Sequence, residues 1–388
     1  MEGINLNFKI GTHDLHPDAN FNFQLNRMVM YADGDLEEVK EAARKITDMR
    51  SWVKTFVDLG ERALGEGRVA QAISYLRGAE FFMYEDIEEK HRLYDRATSL
   101  FYEHYSRFFE KGAIRTDRVP YEGKYLPVWI TGPGERAGAI LLHGGYDSCK
   151  EEFLRTVLYL GQRGYTVYLF EGPGQGEVLK KLGLPFTHRW ERPVRAVLDH
   201  YRLDDVTIVG VSLGGMLAPR AAAFEPRIKR VVAWGVLPNF LDVVISTRPR
   251  VLQWLLRAGL RLGLRPAVDL GARQQMARDP LAEWGIKHGC YAFGVACPYE
   301  FLKAADRFQF LDVADRITQD FLLLGSTRDH FIPLAFYKRE IDALTNVRSL
   351  TFRLFTERES AENHCNLGNI KLALDTILAW LDQVGSRD

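Results

Sequence analysis

VTIVGVSLGG, residues Val206 to Gly215, begins as an apolar, β-branched run and ends in G-x-S-x-G, with Gly210 and Gly214 flanking Ser212. The stretch MLAPRAAAF follows at once and has the composition of a helix. A buried strand that turns sharply into a helix leaves no room for Cβ atoms beside the turn, which accounts for the two glycines. The same turn lifts the serine hydroxyl above the sheet, at the positive end of the following helix. An ordinary glycine-rich turn has no need of a strand before it and a helix after it. Ser212 is therefore the candidate nucleophile.

A serine hydroxyl is a weak nucleophile at neutral pH and needs a base to take its proton. After this kind of elbow the partners follow in the order serine, acid, histidine. FLLLGSTRDHFIP sets Asp329 just past a strand end, and ENHCNLGN sets His364 between the last strand and the last helix. His364 is the expected base and Asp329 the group that holds its tautomer. His330 is the rival base, although it adjoins the acid in sequence. Glu357, Glu359 and Glu362 are substitute acids near His364, whereas Asp315 and Asp320 precede the strand and belong to the opposite sheet edge. Taken singly, Asp329 could be a turn-forming aspartate and His364 a histidine capping the final helix. For the oxyanion, the expected donors are the N–H of Leu213 and that of Gly145 in LLHGGYDS, with Tyr146 as the alternative to Gly145.

Outward from this centre, short β-rich runs alternate with helical stretches from about Gly112 onward, the pattern of a mostly parallel, doubly wound α/β sheet. VPYEGKYLPVWIT reads as a hairpin turning at Gly123. Further strands are AGAILLHGG, TVYLF, VTIVG, RVVAWG, FLLLG and SLTFRLF, and a helix closes the chain. From about Asp35 to about Phe109 apolar residues recur at helical spacing without strand signals. Between about Leu237 and Asp315 only helical segments occur, too many for one crossover, so this interval is an insertion expected to cap the site. The expected division is a helical N-terminal domain (1–117), an α/β core in two parts (118–236 and 316–388) and a helical cap (237–315). Leu252, Leu255, Leu256, Leu260 and Leu262, with Arg257, Arg261 and Arg265 on the other side, suit either a membrane-surface helix or a cap helix packed on the core; the cap is expected. Cap aromatics Trp254, Trp284, Tyr291 and Phe293, together with Tyr146, are the candidate substrate-lining residues.

Composition narrows the function classes. Lysine plus arginine equals aspartate plus glutamate at 51 each, so no net field favours nucleic acid or an anionic membrane. No secretory-signal pattern opens the chain and no segment approaches ~18 uninterrupted apolar residues, which suggests a cytoplasmic protein. The four cysteines, Cys149, Cys290, Cys297 and Cys365, form no CxxC pair and read as free thiols, and no ligand set suggests a metal. FEGPGQGE lacks the spacing of phosphate-binding or dinucleotide-binding loops, so no cofactor is expected.

Nearly the whole chain resembles a branch of the α/β-hydrolases that includes 2,6-dihydroxypseudooxynicotine hydrolase and the fungal heptaketide-shortening enzymes. The likeness rests on SWVKTFVDLGERAL, AQAISYLRGAEFF, VPYEGKYLPVWI, LLHGGYDSCKEEF, FEGPGQGE, GVSLGGMLAPRAAAFEPRIKRVVAWG, LLGSTRDHFIP and ENHCNLGN. It implies the α/β-hydrolase fold, a triad of Ser212, Asp329 and His364, and a homodimer. It also implies hydrolysis of an ester, or of a C–C bond beside a carbonyl, in a bulky aromatic or polyketide-like substrate. The nicotine-pathway enzyme carries a glutamate early in its cap; LPNFLDVVIS offers only Asp242 there. The competing class is a catalytically silent binding or regulatory protein on the same fold.

Overall fold

A computed structural model describes residues 6–30, 32–133, 138–235 and 237–385. The boundary residue 236 and the first five residues of the chain's opening lie outside them. Six helices lead: α1 (Ala19–Met30), α2 (Leu36–Ala43), α3 (Met49–Gly65), α4 (Val69–Phe82), α5 (Ile87–His104) and α6 (Ser106–Glu110). Asp35, Asp48 and Asp86 start α2, α3 and α5 by accepting the backbone N–H three residues on, which satisfies a donor the helix cannot. The sequence pattern begins at Asp35 and passes over α1. Asn20, Asn22 and Asn26 lower its helix propensity and blur its apolar stripe, yet Asn20, Gln24 and Asn26 are buried with the apolar residues.

The sheet has eight strands: β1 (Arg115–Tyr121), β2 (Lys124–Thr131), β3 (Ala139–His143), β4 (Thr166–Phe170), β5 (Val206–Val211), β6 (Ile228–Trp234), β7 (Asp320–Ser326) and β8 (Ser349–Phe355). Their spatial order is β1-β2-β4-β3-β5-β6-β7-β8. From β4 to β8 neighbours are parallel, whereas β1 with β2 and β2 with β4 are antiparallel. β1 opens at Arg115, so the boundary drawn between 117 and 118 cuts a strand that pairs with β2 along its whole length. The hairpin turns on Glu122 and Gly123, both at positive φ.

Successive side chains of the central strands face opposite layers, and both are buried, which is why VTIVGV has no polar alternation. Leu141, Ile208 and Val231 face one layer, with α8 (Gly176–Lys180), α9 (Glu191–Tyr201) and α10 (Gly214–Ala222). Leu142, Val209 and Val232 face the other, with α7 (Leu154–Gln162) and the terminal α17 (Ile370–Gly385). Between β6 and β7 the chain makes α11 (Phe240–Ile245), α12 (Arg250–Arg261), α13 (Arg265–Met276), α14 (Pro280–Ala292) and α15 (Pro298–Ala305); α16 (Ala335–Ala343) follows β7. An antiparallel bridge between Asn239 and Gln309 closes the neck of this insertion.

The leading helices are joined to both other parts. Trp284 of α14 donates its indole N–H to Phe81 O at 3.1 Å and stacks on the Phe81 ring. Arg27 of α1 reaches Asp147 at 2.9 Å and Glu152 at 2.5 Å, and Arg77 of α4 pairs with Glu152 at 3.0 Å. All four cysteines are free, three buried and Cys290 half-buried. No helix among the described residues is long and apolar enough to cross a membrane.

Candidate active site

Ser212 sits at φ +60°, a left-handed conformation that a non-glycine residue holds only under constraint. The constraint is visible around it. Its N–H donates to Trp234 O at 2.8 Å, and Gly215 N–H donates back to Ser212 O at 2.7 Å. A Cβ on Gly210 would lie 1.9 Å from Gly214 O, and one on Gly215 would lie 1.8 Å from Gly235 O. The turn is thus closed by backbone contacts that tolerate only glycine.

Three side chains from distant parts of the sequence meet here. His364 Nδ1 lies 2.7 Å from Asp329 Oδ2, and His364 Nε2 lies 2.9 Å from Ser212 Oγ. An ionised carboxylate only accepts, so Nδ1 carries the ring proton and Nε2 is left to accept from the serine O–H. Asp329 is fixed in turn, since its Oδ1 accepts from the N–H groups of Phe331 and Ile332 at 2.9 and 3.1 Å. The loop carrying His364 is held by Asn366. Its Oδ1 accepts from Trp234 Nε1 at 2.9 Å, and its Nδ2 donates to Ser326 Oγ at 3.1 Å and Ala361 O at 2.9 Å. Burial opposes a charge on His364, but the adjacent Asp329 carboxylate overrides it and holds the ring well above the usual histidine range.

The rivals go elsewhere. His330 is wedged between the Phe23 and Phe331 rings, and burial depresses it to about 4. Glu357 pairs with Arg328 and Glu359 with Arg353. Asp320, at the start of β7, bonds Arg348 and Ser349 at the opposite sheet edge. Asp242 is taken up by Arg257 and Arg339 and is not in the wall of the Ser212 cavity.

The HGG turn lies against the elbow, since a Cβ on Gly145 would fall 2.7 Å from Leu213 N. Gly145 N–H is already committed to Ser148 Oγ at 2.9 Å, whereas the N–H groups of Tyr146 and Leu213 have no acceptor among the described residues. The expected donor, Gly145, is thus occupied by a side chain of its own turn, and the alternative, Tyr146, is the uncommitted one. FEGPGQGE, which the sequence excluded as a phosphate loop, shapes this turn. Gln175 Nε2 donates to Gly144 O at 2.7 Å and Gly145 O at 3.2 Å, and its Oε1 accepts from Gly172 N–H. Beside it, Cys149, Glu151 and Glu171 converge closely enough for metal ligation, but the Lys150 ammonium sits 3.1 Å from Glu151 and 3.4 Å from Glu171 and meets their charge.

A mostly apolar cavity of about 130 Å³ opens over Ser212 and His364. Its walls include Tyr146, Phe240, Val243 and Trp284, and also Phe23, Gln24 and Arg27 of α1, which sequence reasoning missed. Three expected residues are absent from that wall. Trp254 is 67% exposed on α12. Tyr291 turns to α5, where its O–H meets His91 Nε2 at 2.7 Å. Phe293 is buried behind Phe240, against Phe186 and Phe308. A second cavity of about 210 Å³, between the leading helices and the core, shares Gln24, Arg27 and Glu152 with the first.

Residues 139–357, more than half of the chain, match the alpha/beta hydrolase family. The chain belongs to that family. It is an enzyme, a hydrolase. Hydrolase LUC6 of Fusarium sp is 26% identical over 423 aligned residues, covering 96% of this chain and 98% of its own. The 20-hydroxy-prefusarin hydrolase FUS2 of Gibberella moniliformis is 27% identical, covering 95% and 97%. Among solved structures, 2,6-dihydroxy-pseudo-oxynicotine hydrolase superposes with a TM-score of 0.62 at 20% identity, covering 92% of this chain and 94% of that one. The branch expected from the motifs is the one in which this hydrolase falls, and the fold extends over the leading helices and the insertion as well as the sheet.

Proposed function

We propose that the protein is a serine-dependent hydrolase of a bulky aromatic or polyketide-like ester or ketone. Ser212 Oγ attacks the carbonyl carbon while its proton passes to His364 Nε2, and Asp329 stabilises the imidazolium that forms. The tetrahedral oxyanion is received by the N–H groups of Leu213 and Tyr146. Collapse expels the leaving group, an alkoxide oxygen or a stabilised carbanion, which takes the proton from His364. Water activated by the same ring then frees the acyl group from Ser212. The reading carries the four-part division with it, the leading helices and the cap enclosing a substrate held over the core.

The observation that carries this reading is the unbroken hydrogen-bond relay from Asp329 through His364 to Ser212. The substrate class is supported by the relative named for 20-hydroxy-prefusarin, and by the cavities. Both are mostly apolar, and Gln24, Arg27 and Glu152 stand in the wall of both.

A fluorophosphonate probe followed by peptide mass spectrometry tests the chemistry, with the adduct expected on Ser212. A folded protein that gains no adduct there removes the proposal. Assayed against aryl esters and aromatic β-diketones, Ser212→Ala is expected to lose on the order of 10³ to 10⁶ in kcat on whichever class is the substrate.

A further inference from the structure

Ten large apolar side chains are strongly exposed among the described residues, and seven of them lie between Val251 and Leu270. Val251 (69%), Trp254 (67%) and Leu262 (73%) are the most open of these. Val251, Leu255 and Leu262 fall on one side of α12 at 3.6 residues per turn, with Trp254 on its flank. The opposite side, with Leu260, is the one that packs inward. The sequence reading had assigned the leucines of this helix to the core; the structure leaves Leu252, Leu255 and Leu262 in solvent.

The charge around this patch is one-sided. Residues 248–278 contain seven arginines, no lysine or glutamate, and Asp269 as the single aspartate. Arg248, Arg257 and Arg265 have carboxylate partners. Arg250, Arg261, Arg273 and Arg278 are exposed and pair with no carboxylate among the described residues. In a chain that is neutral overall, the segment with the most exposed apolar side chains thus also carries four exposed, unneutralised guanidinium groups.

We propose that α12 and α13 form a docking face for an anionic phospholipid surface, lying in the headgroup region with Val251, Trp254, Leu255 and Leu262 entering the acyl boundary. Apolar side chains supply the burial, and the free arginines meet lipid phosphates. The charge pattern selects this occupant over a second copy of the chain, because a two-fold contact through the patch would set the same unpaired arginines against one another. Phe240 and Val243, on the preceding α11, line the Ser212 cavity, so the docked face and the site belong to one insertion.

Flotation of the full chain with vesicles tests the proposal, and Ser212→Ala should float as the parent does, which separates it from the catalytic reading. The protein is expected to float with mixed phosphatidylcholine and phosphatidylglycerol vesicles, and weakly with phosphatidylcholine alone. R250Q/R261Q should weaken binding to mixed vesicles by roughly ten-fold or more. L255S/L262S should reduce it to the level seen with phosphatidylcholine alone. Both double variants should keep the parent's melting temperature and its labelling by fluorophosphonate, since all four side chains are exposed. Absence of flotation with either vesicle overturns the proposal. So does a parent protein that scatters light as two chains while L255S/L262S scatters as one, because a second copy would then cover the patch.

Discussion

α1 and α12 are twelve-residue helices of the same enzyme, and each reverses what its sequence suggests. α1 is peppered with asparagine and glutamine, yet eight of its residues are buried, and three of its side chains reach the Ser212 cavity. α12 alternates leucine with arginine as an amphipathic helix should, yet only Gly259 and Leu260 are buried. An apolar stripe states that a helix has a face to cover, but not that this chain covers it. Polar residues in turn enter an interior where partners wait for them, as Asn26 does by donating to His13 O and Asn22 O and accepting from His13 N–H.

The sharpest way to break this comparison is to remove a cation from each helix. Arg27 is mostly enclosed and answers both Asp147 and Glu152. Arg27→Met leaves Asp147 without its cation at a buried junction and Glu152 with Arg77 alone, and should lower unfolding free energy by about 3 kcal/mol. Arg261→Gln on α12 should change it by less than about 0.5 kcal/mol. Urea unfolding of both variants reads the difference. Equal, small losses would mean that water reaches the Arg27 junction and that α1 is a surface helix after all. A loss of kcat/KM in Arg27→Met is also expected, because the cavity over Ser212 is partly walled by that side chain.

The same contrast explains what could be read in advance. The elbow was legible because a backbone turn that excludes Cβ atoms leaves a local mark, G-x-S-x-G between a strand and a helix. Asp329 and His364 were legible because the fold returns the chain to one sheet edge at the end of each strand, so position along the chain stands for position in space. Trp254, Tyr291 and Phe293 were not placed correctly, since a helical insertion has no such register: any face of α12 or α14 could have turned inward. Phe23 and Arg27 were missed because nothing local in ANFNFQLNRMVM shows that the core lies beside it. The task of FEGPGQGE, Gln175 holding the HGG turn, was not legible because it depends on a partner 31 residues away in sequence.

Phe23 offers a subtler test, through pH. Its ring lies 5.0 Å from that of His330 and 6.0 Å from that of His364, so α1 helps keep water from both. His330 in the folded protein titrates at about 4, below the ordinary histidine value of 6.5. The unfolded chain therefore binds the proton first as pH falls, and the stability His330 contributes is complete above 6.5 and is lost progressively toward 4. Phe23→Ala should let water in and raise the folded value, so the stability difference between about pH 7 and about pH 5 should shrink. An unchanged difference would mean that α1 does not desolvate the histidine. His364 acts in the opposite sense for catalysis. The base works only when neutral and its pKa is raised, so kcat/KM should fall as pH drops through a value above the ordinary histidine range. His330→Phe should leave that limb in place.

The smallest expected effect comes from α12, and it sharpens the contrast most cleanly. Leu255 is half exposed in the folded chain, so Leu255→Ser removes little burial on folding and leaves no buried hydroxyl without a partner. Stability should shift by no more than about 0.5 kcal/mol, against the several-fold larger loss that a truncated core leucine brings. The comparison residue is Leu25 of α1, which is fully buried, and Leu25→Ala should cost about 2 to 5 kcal/mol. Measured side by side by urea unfolding, the two substitutions ask whether the leucines of α12 contribute to the fold at all. If Leu255→Ser proves as damaging as Leu25→Ala, that side of α12 packs against the body of the protein in solution, and the helix is an ordinary cap element whose apolar face is already covered.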